Sequence, residues 1–425
     1  MNTAWLSLVV FGVCYVLFVL IPNRRSLTAC GGGLLLVLTG ALGWRAALLE
    51  KVSWNVMGLF VGTLVLAELF MLSRAPAVIA EWLVDRTRTA RGAMLAICAF
   101  AGAVSMFVEN VAVVLLLAPV ALSLADKLRV RPVPLLIGIA ISSNLQGTAT
   151  MIGDPPSMIL AGYLRMSFMD FFVYQSRPGI FFAVQVGALA SLAVLAWVFR
   201  AHHARTQMIP QERARSWVPA AFLVVLALGL SVATVFDPDF AWFAGTYTMA
   251  IAGLALAWHG LAARWQPSTA LLRALDWDTT FFLIGVFLLV GSLSDSGWLQ
   301  QLAEAISGAV GQSPALAFVA ILFLSVVVSG FVDNVPFLLA MIPVTQMVAD
   351  KIHVELPLLM FGLLIGACLG GNLTPIGASA NVVAIGILRK RGYTVGFTEF
   401  MRIGIPFTVA AVLAAGLFVW FIWGP

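Results

Sequence analysis

Charge is what this sequence has least of. Of its 425 residues 10% are Asp, Glu, Lys or Arg and 61% are hydrophobic, whereas a soluble globular chain carries about 25% charged residues. That shortage excludes an ordinary soluble domain, and the longest polar stretch, 200–216, is too short to form one. Histidine is scarce too, with 4 residues: His202, His203 and His353 fall in expected loops and His259 at a helix end. An intramembrane enzyme needs a nucleophile–base pair or a His-Glu-x-x-His metal motif. Without a central histidine, neither is expected. The 4 cysteines, Cys14, Cys30, Cys98 and Cys368, have separations that suit neither a zinc site nor a disulfide framework, so they are read as small hydrophobes. No metal centre and no cofactor is expected. The formal net charge of +5 is no nucleic-acid signal, because basic residues in so apolar a chain report membrane orientation.

What is present is a succession of apolar runs, each long enough to cross a ~30 Å hydrocarbon core. The class is an all-α polytopic membrane protein. The first run, 4–21, has neither a basic segment before it nor a small-residue cleavage site after it, and is expected to be a membrane helix and not a signal peptide. Two runs are interrupted in the same way: 105–120 reads SMFVENVAVVLLLAPV and 329–344 reads SGFVDNVPFLLAMIPV.

They belong to an internal repeat. Shifted by 224 positions, residues 107–159 fall on 331–383 without a gap, and 19 of 53 positions are identical. Pro119 falls on Pro343, Gly147 on Gly371 and Thr150 on Thr374. Charge indicates how the copies point. Residues 73–91 carry Arg74, Arg86, Arg88 and Arg91, while the equivalent 293–314 has no Lys or Arg. Basic loops stay in the cytoplasm, so the repeats are expected to be inverted, as in many secondary transporters.

The same rule places both ends of 92–125 on the cytoplasmic side, between Arg88 and Arg91 before it and Lys127, Arg129 and Arg131 after it. With arms of about 16 and 14 residues, too short to cross, this segment is expected to be a re-entrant hairpin with Glu109-Asn110 at its tip. Its partner, 315–349, would enter from outside with Asp333-Asn334 at the tip. After each hairpin a Gly- and Pro-rich stretch breaks an apolar helix, at 133–162 and 357–388. Such breaks free backbone groups and expose helix N-termini to a ligand. The expected organisation is a two-helix scaffold segment (1–53), repeat one (54–199), a cytoplasmic loop with linker helices (200–276) and repeat two (277–425). That makes about ten spans plus two hairpins.

At the hairpins and broken helices the sequence resembles the ion transporter superfamily, and more narrowly the branch of arsenite/antimonite efflux permeases (ArsB type) and the melanosomal P protein. GTATMIGDPPSMI (147–159) and the stretch 331–406, which opens FVDNVPFLLAMIPV and continues GACLGGNLTPIGASANVVAIGI, carry the likeness. Sodium/proton antiporters (NhaD type) and dicarboxylate/sodium symporters are more distantly related. In the dicarboxylate carriers, hairpin-tip Ser-Asn-Thr holds sodium and substrate carboxylate. Here the aligned triplets are Glu109-Asn110-Val111 and Asp333-Asn334-Val335, so an acid replaces Ser and Val replaces Thr. The resemblance implies a domain bearing the hairpins that moves past a scaffold, here 4–72 with 178–292. It also implies homodimers in many members, and a cytoplasmic arsenite ATPase as a partner some arsenite permeases use.

Ionisable groups inside a membrane cost ~2.5–3.5 kcal/mol on insertion scales and are functional by default. Three are expected at the site, Glu109, Asp154 and Asp333, with no Lys or Arg near them. A carboxyl buried without a partner is a protonatable switch. Glu109 and Asp333 are therefore read as the groups that exchange the coupling ion, a proton or else Na⁺ at Asn110 and Asn334. Asp154 shares that role or caps the helix after its break. Thr148, Thr150, Asn372, Thr374, Ser379 and Asn381 complete the candidate substrate- and ion-binding set. The expected function is ion-coupled secondary transport, with proton-coupled efflux of arsenite/antimonite first. A sodium/proton antiporter, a carboxylate symporter and a channel are the alternatives. A multi-pass location in a bacterial inner membrane follows.

Overall fold

The computed structural model describes residues 3–21, 24–202 and 213–425; His203 and most of the expected basic loop 200–216 lie outside the described residues. The chain opens with α1 (Thr3–Leu20), α2 (Arg25–Leu38), a short α3 (Trp44–Ala46) and a π-helical turn, Ala47–Lys51. Repeat one comprises α4 (Trp54–Leu72), α5 (Ala75–Asp85), the hairpin α6 (Ala90–Ser105) and α7 (Asn110–Leu128), the broken pair α8 (Val133–Gly147) and α9 (Pro155–Leu164), and α10 (Ile180–Val198). Then follow α11 (Val218–Ser231), α12 (Ala233–Phe236), α13 (Phe243–Trp258) and α14 (Ser268–Ala274). Repeat two comprises α15 (Trp277–Asp295), α16 (Trp298–Val310), the hairpin α17 (Pro314–Ser329) and α18 (Asn334–Ile352), the broken pair α19 (Leu356–Gly370) and α20 (Ser379–Lys390), and α21 (Phe397–Trp423).

Local chemistry sets many of these ends. The Ser53, Thr89, Asp276 and Ser313 side chains accept hydrogen bonds from backbone N–H groups in the first turns of α4, α6, α15 and α17, supplying acceptors to donors that a helix start leaves unpaired. Proline occupies the first turn of α8, α9, α17 and α19, where no backbone donor is lost.

The fold is helical apart from a ribbon of two two-residue strands, β1 (Val173–Tyr174) and β2 (Arg177–Pro178), antiparallel in the turn before α10. Among the described residues eight helices are long and apolar enough to cross a membrane, the second hairpin arms α7 and α18 among them. The expected spans formed by α2, α8, α11 and α13 are shorter helices. One expectation needs correction: the hairpin arms are 16 and 19 residues in both repeats, not 16 and 14. Each second arm continues through Lys127 or Lys351 to a left-handed residue, Arg129 or His353, and is about 28 Å long.

The broken helices form the centre. Every residue of α19 from Pro357 to Gly370 is buried, and α8 is buried nearly throughout; a helix apolar on all sides belongs in a core. Packing repeats with the sequence. α6 lies on α8 as α17 lies on α19, and α4 lies on α13 as α15 lies on α2. The N-terminal pair α1–α2 thus serves repeat two as α11–α13 serves repeat one.

Candidate functional site

The two hairpin tips share one backbone conformation. Glu109 precedes α7 with φ −53°, ψ 138°, and Asp333 precedes α18 with φ −52°, ψ 135°. The two breaks match as well: Asp154 precedes α9 with φ −151°, ψ 143°, and Ala378 precedes α20 with φ −145°, ψ 145°. The side chains differ. Asp333 accepts from the Val335 N–H at 3.1 Å, while the longer Glu109 makes no cap bond. Asp154 sits at a cap position, yet its side chain bonds no backbone N–H.

These four helix starts line a single cavity of about 30 Å³, which brings together Glu109, Asn110, Asp154, Asp333, Asn334 and Ser379. Asp154 is only 4% exposed, and its Oδ2 has no hydrogen-bond partner. A larger cavity of about 480 Å³ shares Arg25, Asp333 and Ser379 with the first and extends past Phe331 and Ile376.

Arg25 corrects the expectation that no cation lies near the tips. Its Nη1 donates to Asp333 Oδ2 at 2.9 Å and to Ser379 Oγ at 3.1 Å, its Nη2 to Thr279 Oγ1 at 2.8 Å, and its Nε to Asp278 Oδ2 at 3.1 Å. One guanidinium thereby joins α2, α15, the second hairpin tip and α20. The fork geometry suits this task where an ammonium would not. Each helix N-terminus contributes roughly +0.5 elementary charge. The four starts together with Arg25, whose charge is shared between Asp333 and Asp278, offset part of the charge of the three carboxylates, and the site is less hostile to an anion than its acids alone imply.

The remaining candidates face protein groups. Asn110 Nδ2 donates to Asn144 Oδ1 at 2.9 Å, and Asn144 Nδ2 donates in turn to Asn372 Oδ1 at 2.8 Å and Asn381 Oδ1 at 3.1 Å. Asn381 closes the chain on the carbonyls of Gly371 and Thr374, at 3.0 and 3.1 Å. Thr150 donates to the Met106 carbonyl and Thr374 to the Gly330 carbonyl, while Thr148 reaches the Asn144 carbonyl at 3.4 Å. The candidate set is thus divided between residues lining the cavity and residues tying hairpins to breaks.

Arg25, Asn144 and Thr279 were not in that set. Arg25 carried a signal, since a cation at a helix N-terminus is the wrong sign for the macrodipole. Asn144 is an amide inside an apolar helix, but its repeat equivalent is Cys368, so the symmetry that found the other residues passed over it.

The family and the relatives that the chain matches are transporters, so this is a multi-pass membrane transporter and not an enzyme. The family model described as citrate transporter matches residues 15–366 and 249–424, and the chain belongs to that family, within the ion transporter superfamily. It is 31% identical over 376 residues to an uncharacterized transporter of Mycobacterium tuberculosis, covering 87% of this chain and 86% of that one. It is 26% identical over 491 residues to the P protein of Sus scrofa, covering 96% of this chain and 58% of that protein. Its structure is similar to the YdaH transporter of Alcanivorax borkumensis, with TM-score 0.60 at 14% identity over 99% of this chain and 97% of that one. The likeness to the P protein agrees with the branch named from the motifs, whereas none of these relatives is described as an arsenite permease.

Proposed function

We propose that this protein is a proton-coupled secondary active transporter that works by alternating access and carries a small organic carboxylate. The observation that carries the substrate reading is Arg25, which meets Asp333 and Ser379 where four helix N-termini converge. An anion can take the place of Asp333 on the guanidinium when that carboxyl takes up the coupling proton, and the family description, citrate transporter, supports the same class. The carboxylates at the cavity would exchange the coupling proton, with Asn110 and Asn334 orienting the tips. The charge asymmetry between 73–91 and 293–314 supports inverted repeats with re-entrant hairpins. Two tips meeting in one cavity is what hairpins entering from opposite sides would produce. Inverted repeats of this kind favour a moving hairpin domain over a continuous pore. Homodimers and a bacterial inner-membrane location belong to the same proposal.

Arsenite or antimonite efflux is the second reading. It is favoured by Val111 and Val335, which replace hydroxyl ligands at both tips, and by the uncharged state of the trihydroxide, which the acids at the cavity do not repel. A cytoplasmic ATPase belongs to this reading alone.

Purified protein in proteoliposomes with an internal pH dye distinguishes them. Citrate is expected to trigger proton movement that Glu109→Gln abolishes. A response to arsenite alone would replace the carboxylate reading, and one to NaCl alone would make the protein a sodium/proton antiporter. If wild type and Glu109→Gln respond alike to a working substrate, the carboxylate is structural.

A further inference from the structure

Away from the central site, a cavity of about 550 Å³ lies between the first hairpin arm α6, contributing Phe100 and Phe107, and the helices α4 and α11, contributing Phe70 and Leu223. Among the described residues that line it Ser231 is the one polar side chain, and its hydroxyl donates to the Ala227 carbonyl at 2.7 Å. The outer wall is open, with Val224 and Leu228 of α11 59% and 65% exposed. Along α11 the lining runs from Ala220 to Ser231, about 16 Å of helix. That is close to the depth an acyl chain covers in one leaflet of a ~30 Å hydrocarbon core. A basic group marks one end. The Arg215 N–H donates to the Ser73 carbonyl at 2.8 Å, which seats Arg215 against the end of α4, next to Arg74 and two residues after Arg213. All three arginines are exposed, and the wall residues Phe70 and Ala220 lie four and five positions from Arg74 and Arg215.

We propose that this cavity binds one acidic phospholipid, with an acyl chain between α6 and α11 and its phosphate at Arg74, Arg213 and Arg215. The proposal needs the chain to span a membrane and does not depend on what is carried. Volume argues against a protein segment as the occupant. A helix of the same length and about 10 Å across would fill roughly 1,200 Å³, twice the cavity, whereas pockets of roughly 300–1,000 Å³ suit a single small ligand. An extended peptide would bring backbone groups that these walls cannot pair, which hydrocarbon penalises. An acyl chain brings none. Charge selects the headgroup, because basic side chains at the cytoplasmic ends of membrane helices attract acidic lipids. The lipid would supply the packing that α6 and α11 do not give each other, since apolar walls without neighbours forfeit dispersion contacts. A bound lipid therefore stabilises the folded chain by mass action.

The test uses the full chain in detergent and needs no transport, so it stands apart from the carboxylate reading. Native mass spectrometry counts the lipids bound per chain as phosphatidylglycerol, phosphatidylethanolamine or glycerol 3-phosphate is added to delipidated protein, and thermal melts follow the same additions. Wild type is expected to bind one phosphatidylglycerol per chain and to melt at a higher temperature as that site fills. Arg74→Gln and Arg215→Gln should each weaken phosphatidylglycerol roughly fivefold and leave phosphatidylethanolamine unchanged. Ala220→Phe and Ala227→Phe each place a ring in the cavity and should abolish binding of both lipids. Both alanines are only half-buried; size-exclusion behaviour identifies a variant that fails to fold, and either ring variant alone suffices for the loss. Wild type that binds no lipid, ring variants that still bind it, or arginine variants of unchanged affinity would each overturn the proposal. So would stabilisation by glycerol 3-phosphate alone, or a lipid-free dimer that the ring variants dissociate, which would make the groove a contact between copies of this chain. Loss of citrate-driven proton movement with lipid binding intact would leave this proposal standing and remove the carboxylate reading alone.

Discussion

The Thr150 hydroxyl donates to the carbonyl of Met106, and 224 positions later the Thr374 hydroxyl donates to the carbonyl of Gly330. Each bond ties the end of a hairpin's first arm to the break in the helix that follows. The acceptors sit where α6 and α17 end, among carbonyls with no partner within the helix. Thr150→Val and Thr374→Val keep the shape and remove the donor, leaving a buried carbonyl unsatisfied at about 1–3 kcal/mol. Both are expected to lower the melting temperature in detergent, while Thr→Ser at either position restores it. A clamp predicts no change in substrate affinity for variants that remain folded; a weakened Kd would make the threonines ligands.

Gly153 and Gly377 occupy equivalent places in the two breaks. A Cβ on Gly153 would lie 2.4 Å from the Gly147 carbonyl oxygen, and one on Gly377 would lie 2.7 Å from that of Gly371. Backbone cannot give way as a side chain would. Gly153→Ala and Gly377→Ala should each destabilise by about 1–3 kcal/mol or more. Gly253, inside α13 with nothing within 4 Å of its added Cβ, is expected to change in the opposite sense. Gly253→Ala should stabilise by about 0.5–1 kcal/mol through helix propensity. Thermal melts of the three variants side by side check both signs.

Asn144 joins Asn110 of the first hairpin to Asn372 and Asn381 of the second break. Asn144→Leu should destabilise strongly, since three buried amides each lose a partner at about 1–3 kcal/mol per unsatisfied group. A double-mutant cycle with Asn381→Ala should show a coupling of about 0.5–3 kcal/mol. Additivity within a few tenths would mean that the amides act independently.

Asp237 lies in the turn before α13 and accepts from the backbone N–H groups of Ala241, Trp242 and Phe243 at 2.7–2.9 Å. Burial pushes its carboxyl up, but the three donors outweigh it and hold the group below the usual carboxylate range. A depressed value in the folded state contributes stability that is fully present above the unfolded value, about 3.9, and is lost as pH falls through the folded value. Wild type should therefore exceed Asp237→Asn in stability at pH 7, and the gap should close as pH is lowered below about 4. A gap that stays constant with pH would mean the carboxylate's charge is irrelevant to the turn.

Composition and repetition alone determined much of this protein. The apolar runs required membrane helices. The 224-residue shift paired the hairpins, and the Gly–Pro clusters marked both breaks, because turn chemistry and helix breaking are local properties of the backbone. Glu109 and Asp333 stood out for the same reason, as charges in hydrocarbon. What only the tertiary structure decided is which groups share the cavity. Arg25 and Asp333 are 308 positions apart, and nothing local to α2 says that its first residue turns toward a hairpin tip. That depends on α2 packing along α15, a contact between two apolar surfaces with no distinctive pattern in the sequence. The division of the polar residues arose in the same way. Thr150, Thr374, Asn372 and Asn381 look like ligands along the chain, but folding gives their donors backbone and amide partners. Asp154, read along the chain as a coupling group or a cap, bonds no backbone N–H and keeps a buried Oδ2 without a donor.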